Sequence, residues 1–227
     1  MFNVGKRGQA MDGDRGAAFD RVRSGDPEGL ARLLAAEPSL ASATNDDGTP
    51  LLHAAAQSDD PALVDAVLEA GADVEVKARW GHTALEWAAN VNARRAADFL
   101  LSRGSALNLW SAAALGRMDD VRAFLALGQN ERAVADAFYI ACRNGALDVA
   151  RLLRAEGAEV DALGYFDATA LHWAAVNGHE ETVAWLVAEG ANVTRRDPEF
   201  DATPAGWARE GGHDDLARRL EAWETAS

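Results

Sequence analysis

GTPLLHAAA at residues 48–56, GHTALEWAA at 81–89 and DATALHWAA at 167–175 are three copies of one phrase. Each copy is followed by a second amphipathic phrase that reaches a glycine, namely VLEAGADV at 67–74, FLLSRGSAL at 99–107 and WLVAEGANV at 185–193. Self-similarity at a fixed period is typical of folds in which one supersecondary unit is stacked many times. The repeat, rather than any single segment, therefore decides the fold.

The period can be measured at the residue that joins the two phrases of each unit. That residue is, in turn, Gly25, Asp59, Asn92, Gly116, Gly145, Gly178 and Gly212. Successive positions are 34, 33, 24, 29, 33 and 34 residues apart. Apolar residues at helical spacing in the second phrase predict a helix, and the glycine after that phrase predicts a left-handed helix end at Gly71, Gly104, Gly128, Gly157 and Gly190. Hydroxyls that suit a helix N-cap or first turn stand at Thr49, Thr83, Thr169 and Thr203.

These phrases resemble the ankyrin repeat, whose signature reads G-x-T-P-L-H-x-A-A with a period of about 33. The resemblance extends over residues 17–223. It implies an all-α ankyrin-repeat solenoid of about seven helix pairs including caps, with short β-turn fingers between successive pairs. Paired small residues such as Ala55 and Ala56 allow helices of adjacent repeats to approach closely. Because one helix pair cannot bury both of its faces, stability is expected to come from the neighbouring pairs.

We predict a flexible N-terminal arm at 1–16, which is rich in glycine and charge, followed by a single ankyrin-repeat domain at 17–227. The predicted units span about 17–44, 45–77, 78–106, 107–130, 131–163, 164–196 and 197–227. The first unit lacks the repeated phrase and the last replaces a small core residue with Arg209. Both are therefore predicted to be caps.

The fingers are predicted to be uneven along the chain. Full fingers are expected at 45–49, 78–82, 164–168 and 198–202. The shortest spacing leaves only LNLW at 107–110 between helices, and the next leaves at most a stunted finger through QNERAVADAF at 129–138. Fingers that are missing or reduced in the middle of the array predict a notch in its concave face.

Composition narrows the classes of partner. The formal net charge of −14 and the pI near 4.7 disfavour nucleic acid and anionic membranes. No segment approaches the roughly 20 consecutive apolar residues of a membrane-spanning helix, and the N-terminus lacks a secretory signal, so we expect a cytoplasmic protein. Abundant alanine and positive charge carried almost wholly by arginine indicate a bacterial source. The oligomeric state is left open.

The fingers and the exposed side of the first helices supply the candidate binding site, because these positions vary without disturbing the core. The expected partner-binding residues are Asp46, Asp47, Arg79, Trp80, His82, Tyr165, Phe166, Glu199 and Phe200. Exposed aromatic residues favour Trp80, Tyr165, Phe166 and Phe200 as anchors. In the alternative interpretation, Tyr165, Phe166 and Phe200 pack against each other and only stiffen the fingers. Acidic finger tips favour a protein partner with a basic patch.

The remaining polar residues are interpreted as structural. The resemblance implies that His53 and His172 hydrogen-bond turn backbone of a neighbouring repeat, and that Trp87, Trp173 and Trp207 pack the framework. Cys142 fills a core alanine position, and no HExxH, CxxC or EF-hand loop is present, so neither a metal, a cofactor nor catalysis is expected. The sequence thus favours a protein–protein interaction scaffold. The alternative is a small-molecule binder or enzyme with a pocket at the notch, around Trp110, Ser111, Tyr139 and Arg143.

Overall fold

The computed structural model describes residues 13–164 and 167–226, which are almost entirely helical. The helices are α1 (Gly13–Ser24), α2 (Pro27–Ala36), α3 (Leu51–Gln57), α4 (Pro61–Glu69), α5 (Ala84–Asn90), α6 (Arg94–Ser102), α7 (Leu109–Ala114), α8 (Met118–Ala126), α9 (Glu131–Arg143), α10 (Leu147–Ala155), α11 (Ala170–Val176), α12 (Glu180–Ala188), α13 (Pro204–Glu210) and α14 (Asp214–Ala226). A 3-10 helix spans Pro38–Ser42. The predicted flexible arm is wrong for its last four residues, 13–16, which form the first turn of α1, and the rest of the arm lies outside the described residues.

The chain divides into two compact units, with the division between Leu107 and Asn108. The N-terminal unit contains the pairs α1/α2, α3/α4 and α5/α6, and the C-terminal unit contains α7/α8, α9/α10, α11/α12 and α13/α14. Within each unit the first helices of successive pairs pack side by side, and second helices pack together behind them, as α2, α4 and α6 do. Over the described residues, the predicted all-α ankyrin-repeat fold of seven helix pairs is confirmed.

The loop inside each helix pair is built on one left-handed residue. All seven residues used to measure the period have positive φ, including the non-glycine residues Asp59 (+53°) and Asn92 (+58°). Asparagine and aspartate tolerate this conformation better than other side-chain-bearing residues. The short spacings of 24 and 29 residues therefore reflect shortened connections between pairs, while the turn within each pair is retained.

Small residues form the contact surface between first helices. Both members of each predicted small pair are fully buried, with no accessible surface at Ala55, Ala56, Ala88, Ala89, Ala112, Ala113, Ala141, Cys142, Ala174 and Ala175. Larger side chains such as Leu63, Leu100, Leu153 and Leu186 fill the space between first and second helices, also without accessible surface. Interiors of this density tolerate little added volume.

The four predicted fingers are each closed by a backbone hydrogen bond across the base. Its donor and acceptor are Asn45 N and Thr49 O (2.9 Å), Ala78 N and His82 O (2.9 Å), Gly164 N and Ala168 O (3.0 Å), and Asp197 N and Ala202 O (3.1 Å). The fourth finger is thus one residue longer than the others. Isolated β-bridges flank the first three fingers, at Thr44–Pro50, Lys77–Thr83 and Leu163–Thr169.

The predicted N-cap position is wrong for one of the four threonines, Thr49. Thr83 and Thr203 accept a hydrogen bond from the backbone N–H of the third residue of the following helix. Thr169 occupies the N-cap position of α11, where its hydroxyl bonds the His172 ring and not a backbone N–H. Thr49 does not cap α3, because the N-cap position is occupied by Pro50, which makes no side-chain hydrogen bond. The phrase at 48–56 has one more residue between threonine and histidine than the phrase at 167–175, and this moves the hydroxyl out of position.

The middle of the chain lacks fingers at two connections, as predicted. The first connection is too short for a finger, whereas the second is replaced by additional helix. Only residues 103–108 separate α6 from α7. The predicted stunted finger at 129–138 is wrong, because Asn130 caps α9 and residues 131–138 are its first turns. Helix α9 therefore has 13 residues, where α11 has 7.

We expect Gly178→Ala to lower the free energy of unfolding by about 2–4 kcal/mol, through left-handed backbone strain and overpacking. Gly178 has φ of +71°, and an added Cβ would lie 2.4 Å from the His213 ring. Gly190→Ala is the matched control, since Gly190 has φ of +91° and no atom within 4 Å of an added Cβ. Urea denaturation should show a loss of only about 1 kcal/mol for Gly190→Ala. Equal losses would contradict the proposed contact.

Candidate functional site

The second finger presents an exposed tryptophan that rests on a helix. Trp80 is 63% exposed. Its ring stacks on Trp87 of α5, with centroids 6.3 Å apart and an interplanar angle of 21°. Trp87 in turn meets the edge of buried His53, with centroids 5.2 Å apart. The finger tryptophan therefore has one face supported by the framework while much of its surface is open.

The fourth finger repeats this arrangement in the C-terminal unit. Phe200 is 44% exposed, and its ring lies edge-on to Trp207 with centroids 6.0 Å apart. Trp207 is only 7% exposed. In both fingers the helix tryptophan follows the finger aromatic by seven residues. Phe166 stands seven residues before Trp173 in the sequence, but Tyr165 and Phe166 lie outside the described residues.

Buried imidazoles tie fingers to the helices of the preceding repeat. His53 Nε2 donates to the carbonyl oxygen of His82, at the base of the second finger, over 2.9 Å. His172 Nε2 lies 3.1 Å from Arg195 O and 3.3 Å from Ala202 O, at the base of the fourth finger. Burial lowers the pKa of both histidines below the ordinary value. Each imidazole is thus a neutral donor to a finger that carries an aromatic residue.

The two imidazoles differ at the other ring nitrogen. His172 Nδ1 lies 2.8 Å from Thr169 Oγ1 and 3.3 Å from Thr169 N, which can both donate to it. His53 has Pro50 at the equivalent position, which has neither a hydroxyl nor an N–H group. His53 Nδ1 is buried and makes no hydrogen bond among the described residues. The misplaced threonine of the first phrase thus also leaves an imidazole nitrogen unsatisfied.

An apolar groove of about 690 Å³ runs across the first helices of the C-terminal unit. Its lining combines aromatic and small residues with three charged side chains: Arg143, Trp173, Val176, Glu199, Phe200, Ala202, Gly206, Trp207 and Glu210. Trp173 and Trp207 meet edge to face with centroids 5.1 Å apart, and the guanidinium of Arg143 lies 4.6 Å from the centre of the Trp173 ring. Gly206 occupies the repeat position of His172, so no imidazole stands over the start of α13.

The fourth finger is organised by a buried carboxylate, Asp197, which is 1% exposed. Its oxygens accept from Phe200 N (2.7 Å), Trp207 Nε1 (2.8 Å), Glu199 N (3.0 Å) and Ala202 N (3.2 Å). Burial by itself would raise the pKa of Asp197, but these donated hydrogen bonds outweigh burial and hold the pKa below its ordinary value. Asp197 therefore fixes both Phe200 and the tryptophan beneath it.

The predicted finger residues lie in two separate groups. Arg79, Trp80 and His82 share the second finger, next to Asp46 and Asp47 on the first. Asp46 forms a 3.0 Å ion pair with Arg15, and His82 Nδ1 lies 3.5 Å from Glu86. Glu199 and Phe200 line the groove of the C-terminal unit.

The residues of the alternative site have varied environments. Ser111 is fully buried, and its hydroxyl donates to Asn108 at the N-cap of α7. Tyr139 is buried, and its ring packs so closely on Gly164 that an added Cβ would lie 2.1 Å away. Trp110 is half-buried, and Arg143 lines the groove. Among the described residues, no group of three or more His, Cys, Asp or Glu side chains could hold a metal ion.

Sequence reasoning missed Asp197 and Gly206. The pair Asp197–Pro198 was a usable signal, because aspartate before proline commonly starts a turn in which its carboxylate accepts backbone N–H groups. The aromatic pairs at 80/87 and 200/207 were also visible as a constant seven-residue spacing, although their contact is not.

A family model described as ankyrin repeats in three copies matches residues 18–110 and again residues 109–197. The chain therefore belongs to the ankyrin-repeat family, whose domains generally mediate protein–protein interactions. None of the curated proteins matches it. Among solved structures it is similar to the human ASB11 ankyrin repeat domain, with 23% identity and a TM-score of 0.49 over 89% of this chain and 96% of that one. It is also similar to the ankyrin repeat domain of Bcl-3, a member of the IkappaB family, with 24% identity and a TM-score of 0.45 over 88% and 97%. No helix among the described residues has the length and apolar character needed to cross a membrane.

Asp197→Asn should loosen the fourth finger and lower the free energy of unfolding by about 1.5–3 kcal/mol, because an amide nitrogen would face N–H donors. Arg195 and Arg196 directly precede the finger, so trypsin should cleave there faster in the variant. Glu199→Gln in the same finger is the control, since Glu199 is exposed. Unchanged cleavage in Asp197→Asn would show that the finger is held by other contacts.

The buried histidines should make the chain less stable in mild acid. Because the folded pKa values of His53 and His172 are lowered, the unfolded chain binds protons first as pH falls through about 6.5. The free energy of unfolding should therefore fall between about pH 7.5 and about pH 5.5, by up to about 1.4 kcal/mol per pH unit for each histidine. Urea titrations of a His53→Gln, His172→Gln double variant should show a smaller fall. Gly190→Ala controls for a general loss of stability and should keep the wild-type pH dependence.

Proposed function

We propose that this chain is a binding scaffold for a protein partner, which contacts the finger tips and first helices of each unit. The observation that carries the proposal is the pair of exposed finger aromatics, Trp80 and Phe200, each supported by a tryptophan seven residues later. Exposed aromatic surface is costly in water, and tryptophan is enriched among the residues that dominate interface energies.

Both aromatic residues are held in place by the framework. Trp80 stacks on Trp87, and its finger receives a hydrogen bond from His53. Phe200 is fixed through its backbone N–H by Asp197, which also binds the indole of Trp207. A side chain ordered before binding loses little conformational entropy when the partner arrives. This supports the finger aromatics as anchors rather than as packing residues alone.

Charge supports a partner with a basic surface. The chain carries 36 acidic and 22 basic residues, and exposed carboxylates at Asp47 and Glu199 lie on the fingers themselves. Such a field accelerates encounter with a basic protein and disfavours phosphate backbones and anionic lipid. The proposal also gives this chain a bacterial source and a cytoplasmic location. It assigns the chain no cofactor and no catalytic activity, as the composition and motifs indicate.

Alanine substitution of the two anchors should abolish partner capture. Immobilised wild-type protein is used to capture partners from a lysate of the source cell, beside Trp80→Ala, Phe200→Ala and the double variant. If each anchor contributes about 2 kcal/mol, a single substitution should weaken binding about 30-fold. Circular dichroism establishes that each variant remains folded.

Leu127→Ala is the matched control for this experiment. Leu127 is a hydrophobic residue that is 79% exposed at the end of α8. Helix α8 is the second helix of its pair, and no finger follows it. Its removal should leave capture unchanged. A partner recovered equally by wild type and by the double variant would contradict the proposed face.

A further inference from the structure

We infer that the groove of the C-terminal unit binds a partner segment in which an apolar or aromatic residue is followed, two or three positions later, by a lysine or arginine. This inference rests on the proposed function and specifies the chemistry of the ligand at one of its two anchors.

The aromatic residues that line the groove favour an apolar or aromatic residue in the ligand. The groove is lined by the rings of Trp173, Phe200 and Trp207 and by Val176. Small residues, Ala202 and Gly206, leave room above the start of α13 where the preceding repeat places an imidazole. Aromatic walls of this kind favour edge-to-face contact with another ring or close packing with an aliphatic chain.

The charged residues give the groove a direction. Arg143 belongs to α9, whereas Glu210 belongs to α13 and Glu199 to the finger that precedes it. Helix α9 packs on α11, and α11 packs on α13, so Arg143 enters the groove from the α9 side and the carboxylates enter it from the α13 side. The Arg143 guanidinium faces the Trp173 ring, which leaves the basic residue of a ligand best placed near the exposed carboxylate of Glu199.

The separation of the two ligand residues follows from the repeat. Neighbouring packed helices lie about 8–10 Å apart, and an extended peptide advances about 3.3 Å per residue. A ligand's aromatic side chain therefore packs beside Trp173 of α11, because Arg143 covers one face of that ring. A basic side chain near the α13 end then follows it by two to three residues.

Synthetic heptapeptides with blocked ends test the inference. The first has phenylalanine at its third position and lysine at its sixth, among glycine and serine. The second replaces lysine with glutamate, and the third replaces phenylalanine with alanine. Each is titrated into the isotope-labelled full chain while the indole N–H signals are followed by NMR. The first peptide should shift the signals of Trp173 and Trp207 and bind most tightly.

Variants separate the two halves of the ligand. Phe200→Ala should remove the preference for phenylalanine. Glu199→Gln should reduce the preference for lysine over glutamate by about threefold, as expected for one exposed ion pair. Glu181→Gln on α12 and Leu127→Ala at the end of α8 are controls that should change neither preference.

Equal binding of the lysine and glutamate peptides, or no binding of any peptide at millimolar concentration, would overturn the inference. In that case a partner whose capture still depends on Phe200 would leave the proposed function standing with a ligand of different chemistry. If the peptides fail in this way and partner capture also does not depend on Phe200, the proposed function is overturned as well.

Discussion

Stacking of helix pairs through small residues is the constraint on which both units depend. A single pair exposes apolar surface on two sides, and only the adjacent pairs can cover it. Residues such as Ala88, Ala89, Ala174 and Ala175 have no accessible surface, so the first helices lie as close as their backbones permit. Each finger leaves the end of one pair and enters the next. The spacing between consecutive fingers within a unit, and hence the spacing of the side chains they carry, is therefore set by the alanines beneath them.

The fingers themselves are fixed by polar groups that the core cannot supply. The second finger receives its bond from the imidazole of the preceding repeat, whereas the first is organised by Asn45, whose side-chain oxygen accepts from Asp47 N and Thr49 N. The fourth finger has both devices, His172 from the preceding repeat and its own Asp197. In α13, Gly206 stands at the repeat position of His172, so this helix presents no such imidazole. The space left by that imidazole contributes to the groove.

Most of the fold could be predicted from the sequence because its determinants recur: the left-handed residue of each loop, the small pairs and the repeated phrase. The errors arose where one copy departs from the others. Thr49 was misplaced by a single inserted residue, and residues 131–138 continue a helix where a shortened finger was expected. The candidate site was harder to derive, since the role of Asp197 depends on four donors that only the folded chain brings together. The assignment of the finger aromatics to partner binding stays a prediction.

The distribution of tryptophan among the repeats bears on why the chain carries it. Tryptophan stands at 87, 173 and 207, each seven residues after an aromatic finger residue, whereas the second repeat has Ala54 seven residues after Asp47. Stacking does not require the tryptophan, because Ala55 and Ala56 in that repeat are as fully buried as their counterparts. The helix tryptophan accompanies the finger aromatic, and in the two described cases the rings are in contact. At 87 and 207, a residue that stacking can do without lies beneath an exposed finger ring, and support of that ring explains it better than packing of the core does.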